Sequence, residues 1–337
     1  MIKANIVKTS NVAIKILIII LSFWFIFYHL FLKYDSRVFI NSFKSLIMQP
    51  SMLVVLLIVV VMMLLNWSLE TLKWQYLIKK IEKVSFFRAF SAVWAGLTIG
   101  SFTPNRTGEY FGRVFILEKA NRWEGTFITF TGSISQLLVT LLVGTVSFLI
   151  FIISENPAMN LPANPLYLIL AIAAIVATVF VALLYFRISW LKTFIRKLVP
   201  KKYELFRSHL EVFSYYSVKD MMTVLAFSFA RYAVFTLQYF LLLRLCNIPI
   251  PFFEGVMLIS CIFLIMTVIP TVALTELGVR GSVSIFILEN YFSNNTAIFQ
   301  SIASSAFISS GLIWMINLII PALIGSIFVF RLKFLRK

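Results

Sequence analysis

Two prolines, Pro104 and Pro270, are each followed by a glutamate, a glycine and an arginine: Glu109, Gly112 and Arg113 in one copy, Glu276, Gly278 and Arg280 in the other. Arg106 follows the first proline closely, and Arg231 stands alone near the middle of a later apolar run. A guanidinium pairs phosphate oxygens through a planar fork and keeps its charge when desolvated. Arg106, Arg113, Arg231 and Arg280 therefore suit a phosphate or another anionic group, with Glu109 and Glu276 pairing with them or with a cationic headgroup. Gln136, Gln238 and Asn105 are secondary candidates; Gln238 lies seven residues after Arg231 and hence on the same helical face. The alternative for Arg231 is a buried pair with a glutamate that only locks two helices together.

Other chemistries find no residues to carry them. Cys246 and Cys261 have no CxxC spacing and only His29 and His209 to assist, so neither a metal site nor a disulfide framework is expected. No nucleotide-binding loop and no Ser-His-Asp arrangement can be assembled, and no cofactor is implied. Asp35 and Asp220 are the only aspartates and form no DxD motif, which disfavours a glycosyl-transfer enzyme. Asp35 in a first external loop keeps that alternative open.

These polar residues sit in a chain that is 61% hydrophobic and 13% charged, against about 25% charged residues in an average soluble domain. A charge at the centre of a lipid-facing helix costs about 2.5–3.5 kcal/mol, so Arg106, Glu109, Arg113, Glu276 and Arg280 must face protein, water or one another. The fold expected is all-α: a polytopic integral membrane protein, one transmembrane domain over 1–337, with about six full spans near 12–32, 51–69, 125–153, 166–186, 220–243 and 302–330. Two further apolar segments, 89–102 and 252–288, are broken at Thr103-Pro104-Asn105-Arg106-Thr107-Gly108 and at Ile269-Pro270, and read as re-entrant hairpins. Phe86-Phe87 precedes Pro104 by the interval that separates Phe252-Phe253 from Pro270. Three full spans lie between the copies, which inverts one relative to the other and gives repeat halves of 70–186 and 220–331.

Charge sets the expected orientation. Lys3, Lys8 and Lys15 before the first span and Arg331, Lys333, Arg336 and Lys337 after the last put both termini in the cytoplasm. The stretch from Glu70 to Arg88, with Lys73, Lys79, Lys80 and Lys83, reads as cytoplasmic, as do 103–124 and 187–219, whereas 154–165 reads as external. The net charge of +17 follows this positive-inside pattern and anionic headgroups; it does not point to nucleic acid. Thr126, Thr129, Ser133, Gln136 and Thr140 form a polar stripe suited to close helix packing. Trp190 to Tyr216 reads as two short amphipathic helices at the membrane surface.

Leu72-Lys73-Trp74, Phe86-Phe87, Pro104 to Glu109 with Gly112-Arg113, and Pro270 with Glu276 to Arg280 resemble the transmembrane region of lysylphosphatidylglycerol synthases, a flippase-like membrane family. The resemblance implies two re-entrant elements and lipid handling; in the best-known relatives aminoacylated phospholipid is flipped and a cytosolic aminoacyl-transferase domain follows. This sequence ends at Lys337, so lysyl transfer is not expected of it. It departs from the family pattern at Ser133-Ile134-Ser135-Gln136 and at Gly281 after Arg280, which leaves the substrate open. The function expected is a lipid flippase or lipid-handling transporter of the cytoplasmic membrane, acting on a phospholipid or another anionic or zwitterionic lipid. Alternatives are an enzyme or accessory protein of polyprenyl-phosphate-linked glycan or glycolipid synthesis, and a non-catalytic membrane scaffold. A partner lipid-modifying enzyme and a homo-oligomer are compatible with each.

Overall fold

The computed structural model describes residues 36–153, 165–292 and 296–329. The expected first span at 12–32, Asp35, both charged termini and nearly all of the 154–165 connection lie outside the described residues. Those that are described form helices joined by short turns, with no strand among them. A short α1 (Ser36–Ile47) leads into α2 (Met52–Ile78), whose 27 residues extend over about 40 Å, more than the ~30 Å of a hydrocarbon core. Next come α3 (Phe86–Ser101), a turn at Pro104–Arg106, α4 (Gly108–Val114), α5 (Arg122–Ile153) and α6 (Pro165–Phe186). Two short helices, α7 (Ser189–Leu198) and α8 (Glu204–Ser208), precede α9 (Val218–Leu245). The chain ends with α10 (Phe252–Val268), α11 (Ala273–Tyr291), α12 (Thr296–Trp314), a π-helical turn at Met315–Ile319 and α13 (Ile320–Val329).

Five described stretches are long and apolar enough to cross a bilayer: α2, α5, α6, α9 and the run Ser301–Val329. They coincide with five of the six full spans expected from sequence. The protein is an all-α, multi-pass membrane protein. α6 shows what lipid does to a helix surface: of 22 residues only Ala171, Thr178 and Tyr185 are buried, and most of its leucines and valines are exposed. Thr178 meets Thr145 of α5 at 2.9 Å, a small polar contact between close helices.

Contacts between helix ends fix two poles of the bundle. At one, Gln49 donates to Asn247 at 2.8 Å. At the other, Tyr76 and Lys80 both reach Asp220, and Tyr216 donates to the Leu77 carbonyl. α2 and α9 therefore run antiparallel side by side. The second pole gathers Lys79, Lys80, Lys83, Arg88 and Lys119, together with the amphipathic segment carrying Lys192, Arg196 and Arg207. That segment folds into the expected short helices and packs on α5 through Phe127, Phe206 and Phe213.

α3 and α4 form a hairpin that leaves this basic pole and returns to it, because Glu82 before α3 accepts the backbone N–H groups of Glu118, Lys119 and Ala120 after α4. The two arms touch through glycines: a Cβ on Gly112 would stand 2.7 Å from the Gly96 Cα. α10 and α11 make the second hairpin, with Glu254 and Tyr291 as electrostatic neighbours at its open end. Its two arms meet at Ile269-Pro270. After each break a glutamate pairs with an arginine one helical turn on, Glu109 with Arg113 at 2.8 Å and Glu276 with Arg280 at 2.6 Å. α13 lies along α3, where Thr98 donates to the Ala322 carbonyl at 2.8 Å.

Candidate functional site

Asn66, Glu70 and Lys73 fall four and three residues apart on α2 and share one face. That face is buried, with Lys73 only 1% exposed. The Glu70 carboxylate accepts from Lys73 at 2.8 Å, from Arg113 at 2.6 Å and from Arg231. Arg231 also donates through Nε to the Asn66 amide oxygen at 2.8 Å and stands over the Trp67 ring. Lys73 reaches on to the Gly132 carbonyl at 3.2 Å and the Ser228 hydroxyl at 3.4 Å, so one ammonium ties α2 to α5 and α9. Trp74 donates to Thr129 at 2.9 Å beside it.

The second cluster forms where the hairpin tips meet. The Asn105 N–H donates to the Thr271 carbonyl at 2.9 Å, and the Thr271 N–H donates to the Asn105 side-chain oxygen at 3.0 Å. Asn105 and Arg106 have φ of 49° and 54°, a left-handed conformation that costs roughly 1–2 kcal/mol for a residue with a Cβ and is offset here by those cross-hairpin bonds. The turn aims Arg106 across the gap, where it donates to Glu276 at 2.8 Å. The other oxygen of Glu276 accepts from Arg280 Nη2. Arg280 is 7% exposed, and its Nε and Nη1 have no hydrogen-bond partner. Two guanidinium donors left bare at this depth are costly unless a further acceptor is supplied.

Between the clusters lies a cavity of about 510 Å³. Arg106, Arg231, Glu276 and Arg280 reach its wall, with Asn105 and Gln136 beside them. Much of the remaining surface is apolar, including Phe235, Phe263 and Met266. Asn317, from the π-helical turn, contributes an amide oxygen that also lacks a partner; such turns inside α-helices often mark functional positions. Across both clusters, five cationic groups (Lys73, Arg106, Arg113, Arg231 and Arg280) face three carboxylates (Glu70, Glu109 and Glu276), an excess of two positive charges. The arrangement can bind an anion and shield it from acyl chains. Among the described residues no three His, Cys, Asp or Glu side chains come together as a metal-ligand group.

The residues expected from sequence divide into two ranks. Arg106, Arg231, Glu276, Arg280, Asn105 and Gln136 meet at the cavity, and Gln136 lies 3.4 Å from Arg231. Glu109 and Arg113 stand behind it, joined to it through Glu70. Gln238 is elsewhere: its amide donates to the Val59 carbonyl at 2.8 Å and ties α9 to α2.

Sequence reasoning missed Asn66, Glu70, Lys73 and Asn317. One expectation is corrected outright: Lys73 and Glu70 do not belong to a basic loop, because α2 runs to Ile78 and buries both. The available signal was the spacing of Asn66, Glu70 and Lys73 on one helical face, with a charge of each sign one turn apart.

Comparison with curated proteins and with solved structures found no match. A family model described as "Lysylphosphatidylglycerol synthase TM region" matches residues 12–320. The chain, with its multi-pass helical fold, belongs to the family of that lysylphosphatidylglycerol synthase transmembrane region.

Proposed function

We propose that this protein handles membrane lipids, holding a headgroup in the cavity between the two hairpin tips and letting it pass between leaflets as a flippase-like transporter. The observation that carries the reading is a cavity walled by Arg106, Arg231 and Arg280 against the single carboxylate of Glu276, set in a protein whose outer surface is built for acyl chains. Such groups are tolerated in a membrane only where cargo, water or protein meets them.

Several features support the membrane placement that this mechanism needs. The 16 residues of α3 span about 24 Å, short of the ~30 Å core, and its hairpin returns to the pole it left, as a re-entrant element does. The long helices α5, α6 and α9 lie between the hairpins, an odd number, which favours entry from opposite leaflets and an inverted repeat. The basic pole fits the cytoplasmic face, in a cytoplasmic membrane.

The test is reconstitution into vesicles carrying fluorescent phospholipid, with a membrane-impermeant reductant added outside. Protein-dependent reduction of the inner-leaflet label, slowed at least tenfold by Arg280→Gln, is the expected result. Kinetics indistinguishable from empty vesicles across lipid compositions would overturn the transporter reading.

A further inference from the structure

The charge balance of the cavity goes further than its lipid character and selects a class of headgroup, resting on the reading of the cavity as a lipid-headgroup site. Glu276 is already engaged by Arg106 and Arg280, and Glu70 by Lys73, Arg113 and Arg231. Glu109 is engaged by Arg113, so no carboxylate of either cluster is left over for a cationic headgroup, and the unpartnered acceptor at the cavity, the Asn317 amide oxygen, carries no charge. We infer that the cavity is selective for a lipid with a terminal phosphate monoester, which brings two negative charges to the two positive charges in excess, and that it rejects cationic, aminoacylated headgroups.

The chemistry discriminates in steps. A phosphate monoester carries about −1.5 to −2 at neutral pH, because its second ionisation lies near 6. A phosphodiester brings a single charge and leaves one cation of the wall uncompensated. An aminoacylated diester with two ammonium groups is a net cation and raises the excess to three beside Glu276 and Arg280, which are both buried. Like charges at close quarters in low dielectric repel strongly, so the order is monoester, then diester, then aminoacyl ester. The apolar wall of Phe235, Phe263 and Met266 accommodates the glycerol or prenyl carbons next to the phosphate, which a free phosphate ion lacks.

Native mass spectrometry of the purified protein, titrated with phosphatidic acid, phosphatidylglycerol, lysyl-phosphatidylglycerol and inorganic phosphate, tests the inference. Phosphatidic acid is expected to bind at least tenfold tighter than phosphatidylglycerol at pH 7.5, and the aminoacylated lipid at least tenfold more weakly still. Inorganic phosphate competing on equal terms would assign the site to the free ion and overturn the lipid. Surface lysines attract every anionic lipid, so the decisive variants lie inside the cavity: Gln136→Glu, which removes one unit of positive excess, and Arg280→Gln should each bring phosphatidic acid down to the affinity of phosphatidylglycerol.

Should Arg280→Gln fail to fold, pH supplies an independent reading on the wild type, since lowering it from 7.5 to 5 removes the monoester preference and leaves diester binding unchanged. Lysyl-phosphatidylglycerol binding as tightly as phosphatidic acid, or a preference that survives both Gln136→Glu and low pH, would overturn the inference. Selective binding without transport would instead overturn the function proposed above, and transport indifferent to headgroup charge would overturn this inference alone.

Discussion

Arg106 donates to Glu276 at 2.8 Å although 170 residues separate them in the chain, and this contact joins the tips of the two helix hairpins. Glu276 is 8% exposed at its side chain and Arg106 is 35% exposed, so the pair has one buried and one half-wet partner. Each hairpin carries, within its second arm, a glutamate paired with an arginine one turn on, and Arg106 is the charge that crosses between the hairpins.

That asymmetry gives the first prediction. Glu276→Gln leaves Arg280 without its carboxylate and should cost about 3–5 kcal/mol, the range for breaking a buried pair. Arg106→Gln leaves Glu276 still paired with Arg280 and removes a bond whose arginine is partly solvated, so about 1 kcal/mol is expected. Thermal unfolding in detergent should rank the variants in that order. Equal losses would mean that the contact between hairpins holds the structure as firmly as the pair within α11.

Glu70 yields a second prediction from its three partners. Glu70→Gln strands Lys73, Arg113 and Arg231 together in one buried region, and a loss of at least about 3–5 kcal/mol is expected. Adding Lys73→Met should restore part of it, because one of the unbalanced cations is then gone; neighbours in one charge network are non-additive by about 0.5–3 kcal/mol. A double variant no more stable than Glu70→Gln would show that Lys73 is held by the Gly132 carbonyl and the Ser228 hydroxyl instead.

Which of these relationships could be read in the sequence follows from their physical range. Span existence rests on apolar runs that lipid demands, and α2, α5, α6, α9 and the Ser301–Val329 run were all legible. Arg106, Arg231, Glu276 and Arg280 stood out because an ionised group is rare in such runs. Their pairing was not legible: the Glu276–Arg280 bond is local, but Arg106–Glu276 and Arg231–Glu70 depend on how separate helices dock. Lys73 misled for a related reason. A lysine at the end of an apolar run reads as a loop marker by charge alone, and only the packing of α5 and α9 against α2 shows it inside. Asn317 gave little warning, because its exposure to the cavity comes from a π-helical turn that no periodicity announces.

Glycine packing in the first hairpin gives a third prediction. Gly112→Ala would place a Cβ 2.7 Å from the Gly96 Cα, and a backbone atom cannot swing aside. Separating the arms should cost about 1–3 kcal/mol, as for other overpacked sites, and displace Arg113 from Glu70. Gly311→Ala is the control: its nearest neighbour would be the flexible Leu277 Cδ1 at 3.7 Å, and alanine within a helix gains about 0.5–1 kcal/mol over glycine. Unfolding midpoints should move down for the first variant and up for the second.

Glu82, outside the spans, gives the fourth prediction, one of pH dependence. Burial alone would raise its pKa, but N–H groups of Ala120, Glu118 and Lys119, with Arg88 nearby, outweigh burial and hold the carboxyl below its ordinary value of 4.5. A carboxylate depressed on folding stabilises the fold fully above its unfolded value, and that contribution is lost as pH falls through the folded one. Glu82→Gln should therefore cost on the order of 1–2 kcal/mol at pH 7, the worth of charge-assisted bonds closing the first hairpin's open end. The gap between variant and wild type should narrow once pH drops below 4.5. Parallel stability curves from pH 7 to pH 3 would show that the ionised carboxylate is not what fastens the turn at Glu118 to Ala120.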